Sequence, residues 1–238
     1  SLHAIRKGFE KRGEKIEVDW IVEETPSGIL KGNPLIDNLI VVKSRGWFAY
    51  AKNGIKTSRF LKKRKYDIAL DFQGLFKSSV WVVLSNAKRK IGFSKGRELS
   101  HAFLTEKLPP YDPERHAVER YLDLARHIGG DKAEAVFPLN ITEEETQKVD
   151  GFLSIGGLPS GSRFFTVVPC ARWETKLWAE GYFVETIKEL ARRHRLYAVL
   201  AGGPKDRPAL EGMRSKIPEG CVNLAGALNL KELAALMK

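Results

Sequence analysis

The chain has 238 residues, of which 43% are hydrophobic and 29% charged, and it contains 21 glycines and 11 prolines. These proportions are those of an ordinary globular protein, and they exclude collagen-like, disulfide-rich and disordered chains. Two cysteines, Cys170 and Cys221, are too few for a disulfide framework and indicate a reducing compartment. No apolar run reaches the roughly 20 residues that a membrane-spanning helix needs.

Short β-branched runs alternate with amphipathic stretches of helical length, a pattern typical of parallel α/β architecture. The first half of this pattern predicts helices at 3–12, 47–63, 74–84 and 116–128, and strands at 16–22, 39–42, 66–72 and 90–93. Another helix is predicted to begin at Thr142, because three glutamates follow that residue. This helix ends in the glycine-rich stretch 156–162, which we predict to be a linker. The pattern then predicts strands at 164–168, 196–201 and 221–224, and helices at 179–194, 205–216 and 230–238.

The positive charge of the chain is concentrated in one segment. The formal net charge of the whole chain is +11, whereas residues 43–97 contain 15 Lys and Arg against two acids. A concentrated positive field attracts polyanions: nucleic acid, an anionic membrane or a phosphorylated substrate. The run Lys62, Lys63, Arg64 and Lys65 taken alone is typical of a solvated helix face. For the segment as a whole, we favour a surface that binds anions.

Ligands of open α/β sheets bind beyond the carboxyl ends of the strands, so the residues that follow each strand are candidates. Gly74 and Lys77 follow the strand at 66–72, at a tight turn and in the first turn of a helix, where free N–H groups favour anions. Arg172, Thr175 and Lys176 follow the strand at 164–168 and are suited to hold a phosphate.

Two glycines, Gly202 and Gly203, follow the strand at 196–201, where the backbone can approach a ligand or simply turn. They are not part of a GxGxxG fingerprint, so the sequence does not support an enzyme that binds a nicotinamide cofactor. Histidines and cysteines lack the paired spacing of a metal site, and no GxSxG or Walker motif is present. His116 and Arg120 lie one helical turn apart and form a candidate anion contact.

Together these segments resemble the ADP-heptose:lipopolysaccharide heptosyltransferases of glycosyltransferase family 9, most of all the heptosyltransferase I group. The motifs that carry the resemblance follow in order along the chain: DWIVE at 19–23, YD at 66–67, Asp71, QGL at 73–75 with KS at 77–78, Arg89, GF at 92–93, RE at 97–98, HAVER at 116–120, ARW at 171–173, TK at 175–176 and Trp178. Each motif is weak alone, whereas their shared order and spacing make the match strong.

The resemblance implies an α/β fold with two Rossmann-like domains of the GT-B type, which we expect to be truncated in this chain. Residues 1–157 would form the acceptor-binding domain, without its first strand, and residues 158–238 an incomplete ADP-sugar-binding domain. The implied donor-binding residues are Arg172, Thr175, Lys176, Gly202, Gly203 and Leu228. The implied acceptor-binding residues are Gln73, Lys77, Arg97, His116 and Arg120.

The resemblance also implies an inverting transfer of heptose from ADP-heptose to the Kdo region of lipid A, with no cofactor and no obligatory metal. The family's aspartate base is expected upstream of Ser1, and a second donor motif after Lys238, so the catalytic residue stays unknown. Asp71 and Asp206 are the nearest carboxylates at strand ends, and we assign the role of base to neither. The implied location is cytoplasmic, peripheral at the anionic inner membrane of a bacterium.

Two alternatives stay open. The first is a related glycosyltransferase with another nucleotide-sugar donor or another acceptor. The second, from a different class, is a non-enzymatic protein that binds nucleic acid through residues 43–97. No RNA-binding aromatic motif or other nucleic-acid module is recognisable in that segment, so we expect no nucleic-acid partner.

Overall fold

The computed structural model describes residues 1–43, 47–132, 135–217 and 220–238. It divides into two compact units, Ser1–Leu139 and Asn140–Lys238. The helices of the N-terminal unit are α1 (Leu2–Lys11), α2 (Glu24–Leu30), α3 (Trp47–Arg64), α4 (Phe76–Leu84) and α5 (Ala117–His127). Its strands are β1 (Asp19–Glu23), β2 (Asn38–Val42), β3 (Ile68–Leu70), β4 (Arg89–Phe93) and β5 (Glu106–Leu108).

The strands of the N-terminal unit form two parallel sheets. One has the order β1-β2, with Asp19 opposite Asn38, and the other has the order β3-β4-β5, with Leu70 opposite Ile91. Strand pairs of this kind place their carboxyl ends at one edge, where the connections to the helices begin. We therefore expect the predicted acceptor residues to lie at that edge of each sheet.

The core of the N-terminal unit lies between the helices α1 and α5 and the second sheet. Ala4 and Ile5 of α1 are buried with Leu122 and Ala125 of α5. Leu124, between these two residues of α5, is buried with Ile91 of β4. Apolar residues recur every three or four positions along α5, so burial of this stripe fixes which face of the helix meets the sheet.

The C-terminal unit is a three-layer α/β sandwich. Its elements are α6 (Glu143–Ile155), β6 (Phe164–Val167), α7 (Glu180–His194), β7 (Tyr197–Leu200), α8 (Arg207–Arg214), β8 (Cys221–Asn223) and α9 (Leu230–Leu236). The parallel sheet has the order β6-β7-β8. Leu200 of β7 faces α7 and α8, whereas the next residue back, Val199, faces α6 and α9. Because successive strand residues point to opposite faces, one buried strand serves both layers.

The boundary between the units differs from the predicted one. The sequence places it after residue 157, whereas the compact units divide between Leu139 and Asn140. Helix α6 belongs to the C-terminal unit because its Val149 and Leu153 are buried with Val222 and Leu236. The glycine-rich stretch 156–162 is thus the connection from α6 to β6 within one unit, and the linker prediction is wrong.

Several elements also differ in extent. Helix α2, strand β5 and a 3₁₀ helix at Ser100–Phe103 were not predicted. Helix α4 begins at Phe76 and not at residue 74, because Gly74 has a φ of +63° and forms the turn before it. The predicted helix at 205–216 is a 3₁₀ turn at Pro204–Asp206 followed by α8. Strand β1 begins at Asp19, three residues later than predicted.

Within the described ranges, none of the helices combines the length and the apolar character needed to cross a membrane.

Candidate functional site

A buried carboxylate organises the turn after β3. Asp71 is 4% exposed, and it accepts hydrogen bonds from the backbone N–H groups of Gln73 (3.0 Å) and Gly74 (2.9 Å). The hydroxyls of Ser78 and Ser79, on the first turn of α4, donate to its other oxygen over 3.1 and 3.3 Å. Asp71 therefore fixes the turn and the start of α4, and its place at a strand end serves structure.

The turn presents two of the predicted acceptor residues, Gln73 and Lys77, to solvent. The Lys77 ammonium lies 2.6 Å from the carboxylate of Glu23, the last residue of β1. Sequence reasoning did not single out Glu23, although its place at a strand end is the signal used for the other candidates. The carboxyl ends of β1 and β3 therefore contribute to the same region of the N-terminal unit.

The loop after β4 is tied to this turn. The backbone N–H of Arg97 donates to the carbonyl of Gly74 over 2.9 Å. One residue later, the Glu98 carboxylate accepts from the backbone N–H of Phe76 over 3.1 Å, at the start of α4. The structure thus brings Arg97, which is exposed, next to the turn that carries Gln73 and Lys77.

His116 and Arg120 lie on the first turns of α5. His116 is the N-cap of this helix, and its Nδ1 atom accepts from the backbone N–H of Val118 over 3.2 Å. The guanidinium carbon of Arg120 lies 4.3 Å from the centre of the Tyr111 ring, which in turn packs edge-on against Phe93 at the end of β4. Both residues therefore lie near the carboxyl ends of the strands, and capping occupies one ring nitrogen of His116.

Part of the basic segment serves structure elsewhere in the N-terminal unit. Arg64, at the end of α3, donates to Asp19 at the amino end of β1, whose side chain is 4% exposed. Tyr66 also donates to Asp19, over 2.5 Å. Burial alone would raise the pKa of Asp19, but the hydrogen bonds from Arg64, Tyr66 and Asn38 outweigh it and hold that pKa below its ordinary value. Arg64 is thus not a free surface charge.

Two more cations of the segment are paired: Lys88 with Asp67 and Arg89 with Glu106. Arg45 lies outside the described residues. The number of unpaired cations in this segment is therefore smaller than its composition indicates.

In the C-terminal unit, the loop after β6 is exposed from residue 171 to residue 182. It contains a single 3₁₀ turn, Glu174–Lys176, in which the N–H of Lys176 donates to the carbonyl of Trp173 over 2.9 Å. The guanidinium of Arg172 lies 5.3 Å from the centre of the Trp173 ring. Arg172, Thr175 and Lys176 are all exposed, so their donor groups can reach an anion.

The loops after β7 and β8 pack on each other at the same edge. The N–H of Gly226 donates to the carbonyl of Gly202 over 2.9 Å. Gly226 has a φ of +73°, and a Cβ atom there would lie 2.7 Å from the Cα atom of Pro204. Gly203 donates its N–H to the Asp206 carboxylate over 2.8 Å. Burial and the neighbouring Asp206 carboxylate raise the pKa of the Cys170 thiol.

Leu228 has a different surrounding from the other predicted donor residues. It is half-buried and packs with the apolar cluster between α6, α9 and the sheet. A groove of about 550 Å³ runs along β8 between Phe152 of α6 and Arg207 of α8. None of the predicted donor residues lines this groove.

Both candidate carboxylates already accept hydrogen bonds from the protein. Asp71 is buried with four donors around it, and Asp206 accepts the N–H of Gly203. In the part of the chain that the structure describes, no cluster of three His, Cys, Asp or Glu side chains is arranged to hold a metal ion.

A comparison with protein families decides the assignment. The model of glycosyltransferase family 9 (heptosyltransferase) matches residues 55–238. The chain belongs to glycosyltransferase family 9. This membership does not favour the nucleic-acid-binding alternative.

Two curated relatives extend the similarity. The lipopolysaccharide core heptosyltransferase OpsX of Haemophilus influenzae is 29% identical over 242 residues, which cover 98% of this chain and 65% of that protein. Lipopolysaccharide heptosyltransferase 1 of Pseudomonas aeruginosa is 28% identical over 189 residues, which cover 75% of this chain and 50% of that protein. The chain thus spans between half and two thirds of the length of these family 9 relatives.

Solved structures show the same fold. A family 9 glycosyltransferase from Veillonella parvula aligns with 99% of this chain at a TM-score of 0.84 and 20% identity, over 68% of its own length. Escherichia coli heptosyltransferase WaaC with ADP aligns with 99% of this chain at a TM-score of 0.72 and 24% identity, over 74% of its own length. The fold of this family 9 chain is therefore α/β with two Rossmann-like domains of the GT-B type.

Proposed function

We propose that this family 9 protein is a glycosyltransferase that transfers heptose from ADP-heptose to the Kdo region of lipid A. The observation that carries the proposal is the exposed loop after β6, which contains Arg172, Thr175 and Lys176 and follows the strand that pairs in parallel with β7. The similarity to OpsX over 98% of the chain supports the same activity.

The C-terminal unit would bind the donor. Arg172 offers a planar fork of N–H groups, Thr175 a hydroxyl and Lys176 a mobile ammonium, a combination that suits two linked phosphates. The backbone at Gly202 and Gly203 would lie against the nucleoside, since neither residue has a side chain of its own. Leu228 would contribute only a half-buried apolar edge.

The N-terminal unit would bind the acceptor. Lys77 and Arg97 lie on two loops that are hydrogen-bonded to each other through the carbonyl of Gly74. Arg120 would add a third cation, which the Tyr111 ring holds in place. A phosphorylated and carboxylated sugar lipid is the kind of ligand for which such a cluster is suited.

The reaction would be a single displacement that inverts the anomeric carbon. A carboxylate base takes the proton of a Kdo hydroxyl, whose oxygen forms the new bond to the anomeric carbon while the bond from that carbon to ADP breaks. Arg172 and Lys176 stabilise the negative charge that develops on the departing diphosphate. The contacts of Asp71 and Asp206 count against both as the base.

The acceptor also bears on where the protein would work. Kdo-lipid A is anchored in a bilayer, so the proposed partners include the anionic face of a bacterial inner membrane, reached from the cytoplasm. No nucleic acid is among them. The concentration of positive charge in residues 43–97 supports this placement, since anionic lipids attract basic surfaces.

Calorimetric titration with ADP tests the donor half of the proposal. Lys176→Ala should weaken ADP binding about tenfold to a hundredfold, the range for a hydrogen bond between charged groups. Lys188→Ala is the control, because Lys188 is an exposed lysine of the same unit that pairs with Glu185 on α7. Equal effects of the two variants would contradict a donor site at the loop after β6.

A further inference from the structure

Three large apolar side chains stand exposed around the loop after β4. Phe76 is 51% exposed, Leu99 72% and Phe103 41%. The rings of Phe76 and Phe103 lie edge to face with their centroids 6.3 Å apart. Leu99 begins the 3₁₀ turn that carries Phe103, and Glu98, its neighbour, bonds the backbone N–H of Phe76. We call these three residues the Phe76–Leu99–Phe103 patch.

The backbone at Leu99 has a conformation that is unfavourable for leucine. Glu98 and Leu99 are consecutive non-glycine residues with left-handed backbone, at φ of 53° and 58°. Side chains with a Cβ rarely adopt this conformation, and strained residues persist only where the surrounding structure holds them. A leucine that is both strained and mostly exposed gains nothing from the fold, so its apolar side chain points to a contact outside the chain.

The platform beneath the patch is rigidly connected. Ser79 of α4 is fully buried, and its hydroxyl lies 3.2 Å from the carbonyl oxygen of Ser100, which is 1% exposed. The same hydroxyl lies 3.3 Å from Asp71, so α4, the turn after β3 and the 3₁₀ turn that carries Phe103 pack against one another.

Cations surround the patch. Lys77 follows Phe76 directly, and Arg97 and Lys95, both exposed, precede Leu99 by two and four residues. The two acids nearby are engaged, Glu23 with Lys77 and Glu98 with the backbone N–H of Phe76. An apolar centre with a basic rim is complementary to an anionic bilayer, where acyl chains lie below a layer of negative headgroups.

We infer that the Phe76–Leu99–Phe103 patch is a membrane-docking surface, whose apolar side chains enter the interface of an anionic bilayer while Lys77, Lys95 and Arg97 contact headgroups. The inference rests on the proposed function in that it needs a lipid-anchored acceptor. It deepens that function, because it would place the acceptor residues Lys77 and Arg97 at the level of the headgroups.

Vesicle flotation with the full chain tests the inference. The vesicles contain phosphatidylethanolamine with about one third phosphatidylglycerol, and the variant is Leu99→Asn with Phe103→Ser. Asparagine tolerates left-handed backbone, so the variant keeps the loop conformation. Ile155→Asn is the matched control, because Ile155 is 87% exposed at the end of α6 in the other unit.

The double variant should bind these vesicles about tenfold more weakly, in line with the transfer of one or two apolar side chains out of water. High salt should weaken the wild-type protein but leave residual binding, which the variant lacks, because screening removes only the electrostatic part. Unchanged vesicle binding in the variant, or an equal loss in Ile155→Asn, would overturn the inference.

If the wild-type protein is a dimer and the variant is a monomer that still binds vesicles, the patch is an interface between two copies of the chain instead. Titration with ADP reports on the proposed function separately.

Discussion

Lys77 on the first turn of α4 and Glu23 at the end of β1 form an ion pair of 2.6 Å between Nζ and Oε1. Both side chains are about half exposed, at 48% and 43%. Ion pairs of this exposure contribute about 0–1 kcal/mol, so an incoming phosphate can displace the carboxylate at little cost. In the function we propose, Glu23 would orient Lys77 before the acceptor binds and would compete with the acceptor for the same ammonium.

Glu23→Gln should tighten the binding of Kdo-lipid A in detergent micelles about twofold to fivefold, because the competing charge is removed. Lys77→Ala should weaken the same binding and leave the affinity for ADP unchanged. Glu10→Gln controls for the change in net charge, since Glu10 is an exposed acid of α1 in the same unit. If Glu23→Gln and Glu10→Gln had equal effects, the tighter binding of Kdo-lipid A would result from the change in net charge and not from the loss of the ion pair with Lys77.

Asp71→Asn should destabilise the N-terminal unit. The amide oxygen can still accept from the backbone N–H groups of Gln73 and Gly74, but the amide NH2 group cannot accept from the hydroxyls of Ser78 and Ser79. Loss of these buried hydrogen bonds costs about 1–3 kcal/mol. The free energy of unfolding, measured by urea titration, should fall by this amount, while ADP affinity stays the same.

The same variant tests the assignment of the base. If Asp71→Asn unfolds at the same urea concentration as the wild type but abolishes sugar transfer, then Asp71 acts on the substrate and our structural assignment is wrong.

Asp19 should make the stability of the N-terminal unit sensitive to acid. Its pKa in the folded protein lies below the ordinary value, so it stabilises the fold fully above the pH at which the unfolded carboxyl titrates, about pH 4. This stabilisation is lost as the pH falls through the lower folded-state pKa. Asp19→Asn should therefore cost about 1–3 kcal/mol near neutral pH and progressively less as the pH falls below about 4.

Thermal unfolding from about pH 7 to pH 2 measures this difference, with Asp67→Asn as the control because Asp67 is 80% exposed in its pair with Lys88. A constant difference in melting temperature between wild type and Asp19→Asn at all pH values would contradict the role given to the Arg64–Asp19 contact.

Gly226→Ala should weaken ADP binding and destabilise the C-terminal unit. The new methyl group would lie 2.7 Å from the Cα atom of Pro204, and the residue would have to keep a φ of +73°. The loop that carries Gly202 and Gly203 must then shift. Calorimetry with ADP and thermal unfolding measure the two effects.

Gly212→Ala is the matched control for this substitution. Gly212 lies within α8, and a Cβ atom there would meet nothing within 4 Å. It should raise stability by up to about 1 kcal/mol, because alanine favours a helix over glycine. An equal loss of ADP affinity in both variants would show that the loops after β7 and β8 do not act on donor binding.

Local patterns in the sequence were sufficient for the parallel α/β class and for most of the helices and strands. Helix α5 and strand β4 were predicted within one residue at each end, because the apolar stripe of α5 and the apolar residues Ile91 and Phe93 of β4 indicate burial. The loops after β3, β6 and β7 were also found from the sequence, since a rule about strand ends needs only the strands. The identities of Arg172, Thr175 and Lys176 then indicate anion chemistry without any coordinates.

Contacts between distant residues were decided by the tertiary structure. Helix α2 contains Pro26 and Gly28, which disfavour a helix locally, and β5 has three residues of which only Leu108 is apolar, so neither has a pattern to detect. The assignment of α6 to the C-terminal unit depends on its burial against β8 and α9. The glycine-rich composition of residues 156–162 contains no information about where α6 packs.

The roles of single charges depend on the partners that folding brings to them. Arg64 belongs to a run of four basic residues, yet it is bound to Asp19, which lies 45 positions earlier. Glu23 meets Lys77 across 54 positions, and Asp71 is enclosed by the turn that follows it. Residue type and spacing determine which groups can bind an anion. Only the packing of strands and helices determines which of those groups are already paired, because the free energy of a charge depends on its burial and its neighbours.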